Sequence, residues 1–132
     1  MDYWNVADSE LGIVVTCKGH DKNHTVHAAT QAFRRAAAAR KGPFTVIADL
    51  REMTGYETEA RVAWQEAMYD IKKQVVRLIL VGARSAMIRI GATTVGAFAR
   101  VPVKFVATWD EVRQLGPRST PPNRGRSGIG TS

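Results

Sequence analysis

Two hydrophobic rhythms take turns along this chain. Tyr3 to Val6 has the character of a short edge strand, ended by the turn-prone Asp8-Ser9-Glu10. Leu11-Gly12-Ile13-Val14-Val15-Thr16-Cys17 is β-branched and apolar, the composition of a strand. Asp21 and Asn23 then supply helix N-cap candidates. From His24 to Arg40, Val26, Ala29, Phe33, Ala36 and Ala37 recur at three- and four-residue spacing, one face of a helix, and Gly42-Pro43 stops it. Phe44-Thr45-Val46-Ile47-Ala48-Asp49-Leu50 is nearly continuous in apolar character, as a strand covered on both faces requires.

The alternation continues. A helix over about Glu57 to Gln74 carries Ala60, Trp64, Ala67, Met68 and Ile71 on one face. Val75 to Gly82 reads as the strongest strand in the chain. A third helix runs from about Arg84 to Arg100, with Met87, Ile88, Gly91, Val95 and Phe98 predicted to face inward, and Pro102 breaks it. Val103 to Ala107 is the last strand, and Thr108-Trp109-Asp110-Glu111 fits a capping box that opens a short helix bearing Trp109, Val112 and Leu115. The order is β-β-α-β-α-β-α-β-α. Strand–helix–strand units take right-handed crossovers, so the pattern predicts an α/β fold: a mixed, mainly parallel sheet packed against helices, its first strand pair free to be antiparallel.

Composition narrows the class. At 132 residues and 45% apolar content the chain is one soluble globular domain's worth of sequence. A single cysteine, Cys17, makes no internal disulfide, no signal-like start is visible, and no apolar run approaches the length of a membrane span. These features predict a cytoplasmic setting. Residues 1–115 are read as the α/β domain and residues 116–132 as a disordered basic tail. Of the formal charge of +7, the tail arginines Arg118, Arg124 and Arg126 supply three and residues 1–115 the other four. The basic pairs Arg34-Arg35 and Arg40-Lys41, within and at the end of the first predicted helix, and Lys72-Lys73 in the second have no interleaved aromatic residues, so specific nucleic-acid binding is not predicted.

The strand ending in Asp49-Leu50, the helix a few residues on, the strand Leu78-Ile79-Leu80-Val81-Gly82 and the closing Phe105-Val106-Ala107-Thr108-Trp109-Asp110-Glu111 together resemble the STAS family, the sulfate transporter and anti-sigma factor antagonist domains. The resemblance is to the branch related to sporulation anti-sigma factor antagonists and covers about residues 3–115. It implies a bacterial, non-enzymatic interaction domain that acts in signalling and regulation. Antagonists of this kind bind anti-sigma kinases and are switched off by phosphorylation where the second major helix begins, in a motif reading Asp-Ser-Ser-Gly. This chain has Glu57-Thr58-Glu59-Ala60 there: Thr58 falls on the first motif serine, and Glu59 replaces the usual phosphoacceptor. Thr58 is thereby the candidate phosphoacceptor.

In an open parallel sheet, partners sit outside the carboxyl ends of the strands. That edge comprises Arg51 to Glu59, Gly82 to Ser85, and Thr108. Arg51, Glu57, Thr58, Glu59, Arg84 and Ser85 are the predicted partner-binding residues, suited to an acidic loop of a protein partner, such as an anti-sigma kinase-like or sigma-regulating protein, or to a phosphate. His20, His24 and His27 are spaced four and three apart, yet no cysteine or carboxylate completes a ligand set, so no metal site and no cofactor is predicted. Catalytic motifs such as Gly-x-Ser-x-Gly or His-Glu-x-x-His are absent from the sequence, and no catalytic residue is predicted. Two other roles remain open. One is a small-molecule or lipid carrier, with Met87, Ile88, Ile90, Val95 and Phe98 lining an apolar pocket between helices and sheet. The other is an oligomeric scaffold that associates through an edge strand.

Overall fold

The computed structural model describes residues 3–21 and 23–115. The nine elements occur in the order the periodicity predicts. They are β1 (Tyr3–Ser9), β2 (Gly12–Asp21), α1 (Asn23–Ala39), β3 (Phe44–Tyr56), α2 (Thr58–Asp70), β4 (Val75–Val81), α3 (Ala86–Ala99), β5 (Val103–Val106) and α4 (Trp109–Leu115), with a 3₁₀ turn (Lys72–Gln74) entering β4. One five-stranded sheet has the order β1-β2-β3-β4-β5. β1 pairs with β2 antiparallel across a tight turn, and every later pair is parallel.

Sequential parallel strands joined by right-handed crossovers put every crossover helix on one face, and the packing shows it. Val46 and Leu50 of β3, with Leu78 and Leu80 of β4, share a core with α1 (Val26, Phe33), α2 (Trp64, Met68) and α3 (Ile88, Ala99). The alternate residues Ile47, Ile79 and Val81 point the other way and form a smaller cluster with Val106 of β5 and Val112 of α4. β4 is therefore buried on both faces along its whole length. Two helix ends close as their residues dictate: the Ser85 hydroxyl accepts from the Ile88 amide at α3, and at α4 the Thr108 hydroxyl accepts from the Glu111 amide while Glu111 accepts from the amide of Ala107.

Two expectations are corrected. β3 does not stop at Leu50: residues 51–56 continue the strand, because β2 also runs on and pairs Lys18 with Glu52 and Asp21 with Tyr56. β4 leaves this ladder at Asp49↔Val81, so the end of β3 is a two-stranded ribbon with β2. α3 is also turned from its predicted orientation. Met87 and Phe98, expected inside, are 64% and 50% exposed, and the inward stripe is Ile88, Gly91, Val95 and Ala99. Glycine sets that rotation, since a Cβ on Gly96 would stand 2.4 Å from Cγ2 of Val103 and only a bare backbone lets α3 approach β5 so closely. The expected tail, residues 116–132, lies outside the described residues.

Candidate functional site

Where β3, β4 and β5 end, the loops border a cleft of about 480 Å³ whose walls include Arg51, Gly82, Arg84, Arg89, Phe105 and Glu111. Three arginines line it, from β3, the β4–α3 connection and the first turns of α3. The chain turns sharply at Gly82 (φ 66°), where a Cβ would lie 2.4 Å from Cγ of Arg51, so Arg51 lies directly over the turn. The Gly82 amide donates to the Val106 carbonyl at 2.9 Å, which ties the turn to β5.

Arg51 is held by an interior acid. Its guanidinium donates twice to the Asp49 carboxylate, at 2.9 and 2.8 Å, and its own amide donates at 3.2 Å. From α4 the Trp109 indole N–H donates to the same carboxylate at 3.0 Å. Asp49 is 6% exposed. Burial pushes its carboxyl up, but the hydrogen bonds from Arg51 and Trp109 and the Arg51 charge outweigh it and hold the group below its usual 3.8. The hydrogen bond to Asp49, helped by the negative charges of Asp49 and Glu52, raises the Arg51 guanidinium in turn, against a smaller opposing effect of burial. Arg51 is thus a fixed cation on a fixed base.

The other two cations are differently placed. Arg89 lies over the Phe105 ring, 4.4 Å from its centroid, which orients the guanidinium without neutralising it. Arg84 is exposed and makes no ion pair or side-chain hydrogen bond among the described residues. With Glu111 the only acid on the wall among the described residues, the cleft favours an anionic occupant.

The structure brings together some of the predicted site residues and separates others. Arg51 and Arg84 share the cleft wall, and Ser85 caps α3 immediately behind it. Glu57, Thr58 and Glu59 are not on that wall. They follow the β3 extension and open α2, with Glu57 as the N-cap residue, Thr58 as the first helical residue and all three exposed. Arg89 and Phe105 were not predicted. Arg89 stands four residues after Ser85, one turn into the helix, and that spacing was the available signal. Among the described residues no group of acids, histidines and cysteine is arranged to hold a metal ion, and no helix is long and apolar enough to cross a membrane.

Solved structures share this architecture. A protein of the DUF3478 family from Shewanella loihica PV-4, described as having a SpoIIAA-like fold, aligns with a TM-score of 0.68 at 14% identity, over 87% of this chain and 94% of its own. The unphosphorylated anti-sigma factor antagonist SpoIIAA aligns with a TM-score of 0.61 at 17% identity, over 86% of this chain and 98% of its own. The fold is STAS-like. No family profile and no curated protein matches the sequence itself. The STAS-like sheet accounts for the position of the cleft, outside the carboxyl ends of its parallel strands. At these identities the likeness concerns the fold alone.

Proposed function

We propose that this chain is a non-enzymatic, STAS-like regulatory domain that binds a protein partner through an acidic segment received in the arginine cleft. The observation that carries the reading is the convergence of Arg51, Arg84 and Arg89 on one cleft at the strand ends, with Arg84 unpaired among the described residues. Charges arranged this way steer encounter and fix register, and an acidic segment matches them. The antagonist named among the structural neighbours supports a partner in anti-sigma factor regulation. On this reading Thr58, exposed at the start of α2 and flanked by Glu57 and Glu59, is where phosphorylation would act. A phosphoryl group there gains from the helix N-terminus and is repelled by both acids.

The test uses charge reversal away from the buried acid. Arg84→Glu with Arg89→Glu leaves the Asp49–Arg51 pair intact, whereas Arg51→Glu would set a second carboxylate against Asp49. Full-length protein is used to capture partners from native extract, and each captured protein is then titrated against the purified wild type and the double variant. The expected result is a partner whose affinity falls by about a hundredfold in the variant and weakens with salt, for two lost charge contacts worth roughly 1.4 kcal/mol each. A specific partner bound equally by both proteins would overturn the placement.

A further inference from the structure

Helix α3 turns an uncharged side to solvent. Of its 14 residues only Arg89 is charged, and that side chain leans towards β5, over the Phe105 ring. Ala86, Ile90, Thr93 and Ala97 follow at spacings of four, three and four, so they make one line along the outside of the helix, and all four are exposed. Met87 and Phe98 flank that line and, like Ile90, are half exposed or more. Thr94 adds no open donor, because its hydroxyl donates to the Ile90 carbonyl at 2.8 Å. Neighbouring α2, by contrast, exposes Glu59, Glu66 and Asp70. A contiguous apolar stripe of this kind marks an interaction surface.

The two ends of the stripe differ in charge. At the N-terminal end the Tyr56 hydroxyl donates to the Met87 carbonyl at 3.1 Å, and Glu57, the next residue, is exposed there. At the C-terminal end Phe98 meets Tyr69 of α2, ring centroids 5.6 Å apart, and the Lys72 ammonium stands 3.8 Å over the Tyr69 ring. Acid and cation thus lie on the same flank of α3, the one against α2. A second copy of this surface, turned end for end about a two-fold axis, keeps α2 flank against α2 flank and sets Glu57 against Lys72 twice. It also opposes the two helix dipoles. With the axis beside Thr93 and Thr94, Ile90 falls opposite Ala97, a large side chain on a small one. An anionic membrane is a poorer match, since it would meet Glu57 at one end of the stripe.

We propose that this surface is a homodimer interface, in which α3 of two copies packs antiparallel around an axis at Thr93 and Thr94, with Glu57 of each chain facing Lys72 of the other. Arg89 lies towards the other flank, so the arginine cleft stays accessible and the dimer presents two of them.

The test is sedimentation velocity on full-length protein from about 1 µM to about 1 mM. Two helices of this length make an interface at the small end of the range, so a reversible dimer is expected with a dissociation constant of about 10–100 µM. Ile90→Glu, at an exposed position, should weaken it about a hundredfold. Lys72→Glu should weaken it about tenfold, and adding Glu57→Lys should recover most of that loss, because the exchanged charges face each other again. A protein that stays monomeric throughout, a dimer indifferent to Ile90→Glu, or a folded exchange variant without recovery would overturn the proposal. Monomers that float with vesicles of phosphatidylcholine and phosphatidylglycerol would assign the stripe to a membrane instead. Where the exchange variant does not fold, mild oxidation decides: Thr93→Cys should give a disulfide-linked dimer and Arg35→Cys, exposed on α1, should not. Equal linkage of both, or of neither, would overturn the arrangement.

Discussion

Asp49 shows what a single residue does here. A carboxylate buried alone would take up a proton, but four donors from two distant parts of the chain keep this one ionised. Replacing Trp109 by Phe keeps the ring and removes one donor. Urea unfolding near neutral pH should show a loss of about 1.5–3 kcal/mol, the range for a hydrogen bond to a charged group. The sign of the pH dependence follows from the lowered carboxyl. Stability held by the ionised form is complete above the unfolded value and disappears as pH falls through the lower folded one, so the gap between wild type and Trp109→Phe should narrow below about pH 4. A constant gap down to about pH 2 would show that Trp109 contributes packing only. Neither partner announces this in the sequence. Asp49 reads as the polar end of an apolar strand and Trp109 as a core aromatic, and only the fold joins residues sixty positions apart.

Among the elements, α3 and β3 mark where periodicity suffices and where it fails. Strands buried on both faces, such as β4, identify themselves by continuous apolar character. Residues 51–56 do not, because Arg51, Glu52 and Thr54 are exposed and polar and become strand only by pairing with β2. The rotation of α3 was equally hidden, since Met87, Ile90 and Phe98 give its outer side an apolar stripe as regular as the inner one. The decisive position was Gly96, whose missing side chain reports closeness rather than hydrophobicity. Gly96→Ala should cost about 1–2 kcal/mol in urea unfolding, overpacking against Val103 exceeding the gain in helix propensity of up to about 1 kcal/mol. Adding Val103→Ala should recover most of the loss, and a loss unchanged in the double variant would place the strain elsewhere.

For the molecule as a whole, the sheet divides two environments. α1, α2 and α3 build a thick apolar layer on one side, while the described residues give the other side only α4, seven residues long. Val112, 1% exposed, is the buried contact of that short helix. Val112→Ala should lower stability by about 2 kcal/mol, for lost apolar burial and the small void left behind. Because Glu111 beside it forms part of the cleft wall, the variant should also loosen the cleft, readable as faster amide exchange at Ala107 and Glu111. Protection unchanged at those amides would show that β5 alone holds the cleft.

The overrun of β3 past β4 has a mechanical consequence. Beyond Asp49 the strand is anchored along one margin only, by β2, and its tip is pinned to α3 by the Tyr56 hydroxyl donating to the Met87 carbonyl at 3.1 Å, with the ring lying across Gly91. Such a tongue has one open margin where the ladder narrows, so its amides should exchange before those of the part of β3 held between β2 and β4. Core packing at Leu50 and Met53 and the Tyr56 contact with α3 keep its inner side seated, which confines the early exchange to the ribbon's outer edge.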